Sequence, residues 1–510
     1  GNAQAPAYLE AQIAYRERRF ADAARIAHTA FADSPTLYEV GVIEARAHHE
    51  IALSYNEVNK LAEADAEFTT ARQIFGRVLE VARSDDEAWL GYASLVSSQA
   101  SLRGRPGGGL GLELRGEAID ALHTAREIHR DRWEPYFREA ELYIGEGNIE
   151  ILRYRDPAVY VDRALPLAEQ SRAYGADGDA VDALVCQGYW ERAVYQGHNG
   201  IDPHATYRQA IEACERAVAT RSNTENHNSL GIVYGALADY DGDHGRDPMP
   251  MYALAERELR ATISIDDNAG FHYNLGRHWT KVARYQALHG LDPRRTVDNA
   301  LTELDNTARR DGRRSDAWSS IADALLARAR FLRMRREDAQ PTLAQARAAL
   351  ERSLAVDAEM TSAFKYRTLL AELDAEALLE QRADPAPAVA SMRADADHVL
   401  ARLPDDGFAH QMRSRAEVLA ARWAIARSGA VEPLLARATR EATRAREIDP
   451  LAARAWTTSA EVEAVRAEAA RARGADASAA LASGRAFIER AIAIDPSHLQ
   501  TQAVARALDR

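Results

Sequence analysis

Carboxylates and imidazoles recur in this chain at a fixed interval. Asp156-Pro157, Asp202-Pro203, Asp247-Pro248, Asp292-Pro293 and Asp384-Pro385 form a series whose one gap is filled by Asp338-Ala339-Gln340-Pro341, and neighbouring aspartates stand 45 or 46 residues apart. His198, His244 and His289 keep nearly the same interval just upstream. Such an array invites three chemistries: acid–base work by facing carboxylates, metal ligation by Asp and His, and hydrogen bonding to backbone. The third accounts for the whole pattern. Asp accepts hydrogen bonds at a helix start, Pro fits the first helical position because no donor is needed there, and Gly200, Gly245 and Gly290 supply the left-handed residue that ends the preceding helix. The aspartates are then punctuation in a helical hairpin, with one helix stopping and the next starting within three residues. The histidines fall at hairpin tips. Equivalent side chains in stacked repeats stand roughly 10 Å apart, too far to share a metal, so these are expected as exposed tip residues.

Other candidate chemistries fail on spacing. Asp239, Asp241 and Asp243 alternate like the start of a calcium loop, but the sixth position is His244 instead of Gly and the twelfth is Pro250 instead of Glu. The stretch Gly107 to Gly111 lacks the preceding strand and the following Lys-Ser/Thr of a phosphate-cradling loop, so a linker between helices is expected. Cys186 and Cys214 carry neither zinc nor redox spacing and are expected as buried thiols. No Ser/His/Asp order and no kinase motif set has local support. The expectation is a chain with no catalytic residues, no metal ligands and no cofactor.

The fixed period implies a repeat array in which each unit is one supersecondary element stacked on the next. Eight residues past each aspartate stand Ala164, Ala210, Ala255, Ala300, Ala346 and Met392; fifteen past stand Ser171, Ala217, Thr262, Thr307, Ser353 and Val399. Small residues seven apart on one helix let a neighbouring helix approach closely. Phe20, Ala23, Ala30 and Pro35 show the same spacing near the start, and Leu230-Gly231 with Tyr234 and Leu275-Gly276 with Trp279 add a large-then-small pattern on the preceding helices. These residues resemble the tetratricopeptide repeat, a helical hairpin of about 34 residues. The resemblance implies an all-α solenoid of about eleven hairpins. One short repeat covers 1–37, irregular long repeats cover 38–133, regular repeats of about 46 residues cover 134–497, and a capping helix covers 498–510. The roughly twelve extra residues per long repeat are expected to prolong the first helix by two or more turns.

In that family first helices line the concave groove, so the resemblance implies a partner-binding surface at Tyr273, Asn274, Arg277, Thr280, Lys281, Ser319 and Asp323. Charge points the same way. Residues 277–352 hold sixteen Lys/Arg against ten Asp/Glu, and the basic patch Arg328, Arg330, Arg333, Arg335 and Arg336 would attract an acidic peptide. The expected function is a protein-interaction scaffold. The prolonged first helix, the Gly-x-Asp-Pro hairpin and the endings Ile448-Asp449-Pro450 and Ile494-Asp495-Pro496 resemble the C-terminal repeat regions of serine/threonine protein kinases from myxobacteria-like organisms. That implies the docking arm of a larger signalling protein. A repeat module of a transcription regulator or protease, or an assembly factor that self-associates, are the alternatives.

Totals exclude other classes. A formal charge of −13 argues against a general nucleic-acid binder. No uncharged apolar run approaches the ~18 residues of a membrane span; Ala88 to Leu102 is the longest candidate and contains Ser and Gln. The chain opens on Gly with no signal-peptide pattern, as expected of an excised piece, and its compartment stays open between cytoplasm and the extracytoplasmic part of a membrane kinase.

Overall fold

In a computed structural model the described residues are 5–57, 60–103 and 110–509, and the Gly107–Gly109 part of the glycine stretch lies outside them. Among the described residues the regular elements are all helices. They run α1 (Ala5–Arg16), α2 (Phe20–Asp33), α3 (Tyr38–Glu57), α4 (Leu61–Val81), α5 (Asp86–Arg103), α6 (Leu110–Ile128), α7 (Trp133–Leu152), α8 (Ala158–Ala173), α9 (Gly178–His198), α10 (His204–Thr220), α11 (Thr224–Asp243) and α12 (Met249–Ile265). They continue α13 (Ala269–Leu288), α14 (Arg294–Arg310), α15 (Ser315–Met334), α16 (Gln340–Val356), α17 (Thr361–Glu380), α18 (Ala386–Arg402), α19 (Gly407–Ala426), α20 (Glu432–Ile448), α21 (Ala453–Ala472), α22 (Ser478–Ile494) and α23 (Leu499–Leu508). From α1 to α6 and from α11 to α22 each odd-numbered helix packs on the next even-numbered one as a hairpin, and successive odd-numbered helices stack side by side from α11 to α21. The chain is an all-α array of helical hairpins.

Two compact units divide it, one of residues 1–147 with 158–185 and one of residues 148–157 with 186–510. In the first, the small apolar residues Ala23, Ala27 and Ala30 are buried where α2 packs between α1 and α3. A Cβ at Gly41 on α3 would come within 2.6 Å of Val78, so only glycine admits α4 at that distance.

The second unit is periodic in length. Its first helices α11, α13, α15, α17, α19 and α21 each have 20 residues, and its second helices α12, α14, α16, α18, α20 and α22 each have 17. Against the 12 and 14 residues of α1 and α2, most of the added length is in the first helix. All twelve positions of the two small columns are at most 1% exposed. Close packing explains them: a Cβ at Gly231 or Gly276 would lie 2.8 or 2.7 Å from the Leu259 or Leu304 side chain on the partner helix.

The hairpin turn is longer than the sequence suggests. From α11 to α12 it takes five residues, because a Schellman motif and an Asp turn follow one another without overlapping. Gly200, Gly245, Gly290 and Gly474 have φ of 69°, 76°, 73° and 70°, and the same place is held by Tyr154, Arg336, Arg382 and Ser428 at φ of 54° to 59°. The next amide reaches back five residues, as in Arg246 N–H to Asp241 O at 2.8 Å and Leu291 N–H to Gln286 O at 2.8 Å. Each Asp then accepts from the amide two residues on: Asp247 from Met249 at 3.0 Å, Asp292 from Arg294 at 3.0 Å, Asp338 from Gln340 at 2.9 Å. Asp does accept a backbone amide, but it stands one residue before the N-cap and does not cap the helix: the Pro holds the N-cap in an α-region conformation and its carbonyl takes the first helical bond, as Pro248 O does from Tyr252 N–H.

The cysteine expectation is overturned. Cys186 on α9 and Cys214 on α10 are both buried, but they form a disulfide with Cα atoms 5.2 Å apart. Antiparallel packing of two helices brings positions 28 residues apart within bridging distance, which local spacing rules do not register.

Candidate functional site

Within the second unit the array winds until hairpin tips meet the turns between much later repeats. Tyr154 Oη donates to Asp406 at 3.2 Å, His289 faces Asp495 across 206 residues of sequence at 2.9 Å, and Arg454 faces Asp243 at 3.5 Å. A Cβ built at Gly200 would lie 2.4 Å from Pro450, and one at Gly245 would lie 1.8 Å from the Ile494 carbonyl oxygen. The tip series 154, 200, 245 meets the turn series 406, 450, 494 one repeat at a time. The glycines of the hairpin therefore serve twice, allowing the left-handed turn and admitting a later turn of the array against it.

This changes the histidines. The side chains of His244 and His289 are only 9% and 7% exposed, each lies against the tyrosine four residues before it, Tyr240 or Tyr285, and each donates Nδ1–H to that tyrosine's carbonyl at 2.6 or 2.7 Å. Of the three tip histidines only His198 is exposed. Carbonyl and carboxylate both accept, so His289 fills its two bonds best as an imidazolium. Burial pulls its pKa down, but the hydrogen bonds it donates to Asp495 and to the Tyr285 carbonyl outweigh that and raise it. Burial likewise opposes ionisation of Asp495, but His289 and Ser497 hold it at about 2.

The pH consequence follows from the signs. The His289 contribution is complete below the unfolded pKa near 6.5 and fades as pH rises through its raised folded value; the Asp495 contribution is complete above about 3.8 and is lost as pH falls toward 2. In urea titrations Asp495→Asn should flatten the acid limb of stability between about pH 4 and 2, removing on the order of 2 kcal/mol of dependence. An acid limb identical to wild type would show the pair to be uncoupled from folding.

The first helices face inward and line the interior with charge that is matched from helix to helix. Lys281 on α13 pairs with Asp239 on α11, which also accepts from Tyr252 Oη at 2.8 Å; Arg284 lies 3.8 Å from Asp323 on α15. Arg330 donates to Glu372 on α17 at 2.9 Å, and Arg415 on α19 pairs with Glu372, Glu376 and Glu461. Burial raises the Asp323 carboxyl despite Arg284, and lowers the Lys281 ammonium despite Asp239. The alternating aspartates of the calcium-like stretch go to separate partners, Asp239 to Lys281, Asp241 to His204 and Asp243 to Arg454. Between these groups a cavity of about 20 Å³ holds room for a water or two.

The groove residues expected from sequence are thus divided. Thr280 and Ser319 are buried, Thr280 donating to the Gly276 carbonyl at 3.0 Å and Ser319 meeting Ser362 at 2.8 Å, while Lys281 and Asp323 are engaged as above. Asn274 donates to Asn228, 46 residues earlier, at 2.8 Å. Tyr273 lies under the Arg314 guanidinium at 4.3 Å, and Arg277 is exposed with no ion pair among the described residues. The basic patch does not gather on one face: Arg328 turns to Asp298, Arg330 and Arg333 turn to α17, and Arg335 and Arg336 stand exposed at the α15–α16 tip.

No family model and no curated protein matches the chain. Among solved structures it is similar to yeast Tom70 at 13% identity, covering 99% of this chain and 95% of that one with a TM-score of 0.38. It is similar to a tetratricopeptide repeat protein from Parabacteroides merdae at 11% identity, covering 64% and 100% with a TM-score of 0.37, and to human IFIT1 at 13%, covering 83% and 89% with a TM-score of 0.38. Among the described residues no helix is long and apolar enough to cross a membrane.

Proposed function

We propose that the chain is a non-catalytic scaffold that takes an acidic, extended segment of a partner protein against the inner face of its first helices. The observation that carries this is Arg277. It is exposed and unpaired beside Tyr273 and Asn274, on a face where the neighbouring charges are already matched, so it offers a guanidinium to an incoming carboxylate without breaking an existing pair. Lys281, Asp323 and Ser319 then act by holding adjacent helices in register, while Thr280 is spent on the Gly276 carbonyl of its own helix. The Gly-x-Asp-Pro hairpins and Ile-Asp-Pro endings support a place for this scaffold as the docking arm of a larger signalling protein such as a serine/threonine kinase.

Arg277→Glu should weaken binding of a labelled oligoglutamate peptide about fivefold or more, read by fluorescence anisotropy, with the thermal melt of the helical signal unchanged. A lowered melt would place Arg277 among the structural groups. Unchanged affinity with an unchanged melt would remove the inner face as the site.

A further inference from the structure

We infer that the edge formed by the hairpin tips from α15 to α22 is a docking surface for a carboxylate-bearing, extended segment of a partner protein. This rests on the reading of the chain as a protein-docking scaffold and adds a surface separate from Arg277. The molecule itself displays the chemistry. In the earlier repeats of the second unit, tips are covered by later turns of the same chain, and what they meet there is aspartate: Tyr154 meets Asp406, His244 stands 3.6 Å from Asp449 and His289 meets Asp495. From Arg336 onward no tip meets a later turn among the described residues, and these tips carry arginine.

Arg336, Arg382, Arg427 and Arg473 stand 46, 45 and 46 residues apart, one per repeat. All four are exposed, and none has an ion pair among the described residues. The tip aspartates Asp338, Asp384 and Asp476 are turned to the backbone amides of Gln340, Ala386 and Ser478 at the start of a second helix and form no ion pair with the row among the described residues. The edge thus sets four unpaired guanidiniums one repeat apart, alternating with carboxylates already engaged elsewhere, in a chain of net charge −13. Packed helices are roughly 8–10 Å apart and a polyproline II segment advances roughly 3.1 Å per residue with three residues per turn, so carboxylates at every third residue lie on one face and match successive tips.

The same edge opens into a basin of about 950 Å³. Leu379, Leu419 and the half-buried Trp423 give it apolar wall, with the Arg427 guanidinium over the Trp423 ring at 5.4 Å, and Arg382 and Arg422 at its rim. Glu376 and Glu380 in the same wall are already paired with Arg415 and Arg333; Glu468 has no ion pair among the described residues and opposes a bound carboxylate locally. A basin of that size and composition takes an aromatic side chain between two carboxylates of the bound segment.

The probe is a fluorescein-labelled twelve-residue peptide with Glu at every third position and one central Phe, titrated into the full chain by anisotropy at low salt and again at physiological salt. Binding should weaken with salt, disappear when Glu is replaced by Gln, and fall about tenfold or more in the variant R336E/R382E/R427E, with the helical melt retained. Trp423→Ala should weaken the Phe peptide and leave a Phe-to-Ala peptide unchanged. Wild-type affinity in the triple variant overturns the inference, as does no binding of the peptide at low salt, or tighter binding of single-stranded DNA or of phosphatidylserine vesicles than of the peptide. If the triple variant binds normally and Arg277→Glu does not, the inner-face reading stands without this one; loss in the triple variant supports the edge whatever Arg277→Glu does.

Discussion

Gly245→Ala is expected to unfold the second unit at markedly lower urea than Gly474→Ala, although both replace a left-handed glycine at the same place in a hairpin. Their φ values, 76° and 70°, impose the same conformational cost on alanine, about 1–2 kcal/mol. What differs is what lies beyond. A Cβ at Gly474 meets nothing within 4 Å, whereas one at Gly245 would sit 1.8 Å from Ile494 O, 2.8 Å from Ile494 C and 3.1 Å from Asp495 Cα. Those atoms are backbone, held by the end of α22, and cannot swing aside as a side chain would. Either the tip lifts, separating His244 from Asp449, or the α22–α23 turn moves; overpacking of this kind adds about 1–3 kcal/mol, for a total of about 2–5 kcal/mol. The check is urea unfolding followed by far-UV circular dichroism on both variants. Equal costs would mean that the tip-to-turn contact contributes nothing to holding the second unit together.

The same comparison shows which features a linear reading can reach. Ala210, Ala255 and Ala300 declared themselves because helix packing selects small residues at every repeat, so the signal recurs in the sequence as often as in the structure. Gly245 and Asp247 were legible as turn chemistry for the same reason, since a left-handed residue and a carboxylate that accepts a turn amide are local demands. The burial of His244 and His289 was not legible. It depends on contact with Asp449 and Asp495 some 205 residues later, set by the accumulated rotation of several repeats, and no local spacing rule encodes an angle. The Tyr-x-x-x-His spacing at Tyr240–His244 and Tyr285–His289 was the available hint, because a histidine laid against a tyrosine one turn back is being aimed somewhere. Lys281 and Asp323 mark a second boundary. Register placed them on the inner face, but register says nothing about whether a neighbouring helix has already supplied their counter-charge.

The Arg415 cluster carries the other large effect, because the interior charge is matched across helices and not within them. Arg415 reaches Glu372 and Glu376 on α17 and Glu461 on α21, while Arg330 on α15 bonds Glu372 from the other side. One guanidinium therefore serves three carboxylates on two helices, and its fork geometry suits them as an ammonium would not. Burial by itself would raise Glu372, but Arg415 and Arg330 overcome it and hold that carboxyl low; Glu376 is pushed up by burial and by Glu372 beside it. Arg415→Met keeps most of the packing volume and removes the charge, leaving Glu372 and Glu461 buried and undercompensated. The expected loss is about 3–5 kcal/mol near neutral pH. The sign with pH is fixed by Glu372: its depressed pKa contributes stability above about 4.5 that is lost as pH falls, and without Arg415 it protonates at higher pH. The penalty of Arg415→Met should therefore shrink between pH 8 and pH 5, and adding Glu372→Gln and Glu461→Gln should recover much of it, since matched neutral groups avoid the cost of unpaired charge. Urea unfolding of the single and triple variants at both pH values decides it. A penalty below about 1 kcal/mol, or one independent of pH and unrelieved by the glutamines, would mean that solvent and not Arg415 neutralises the interior carboxylates.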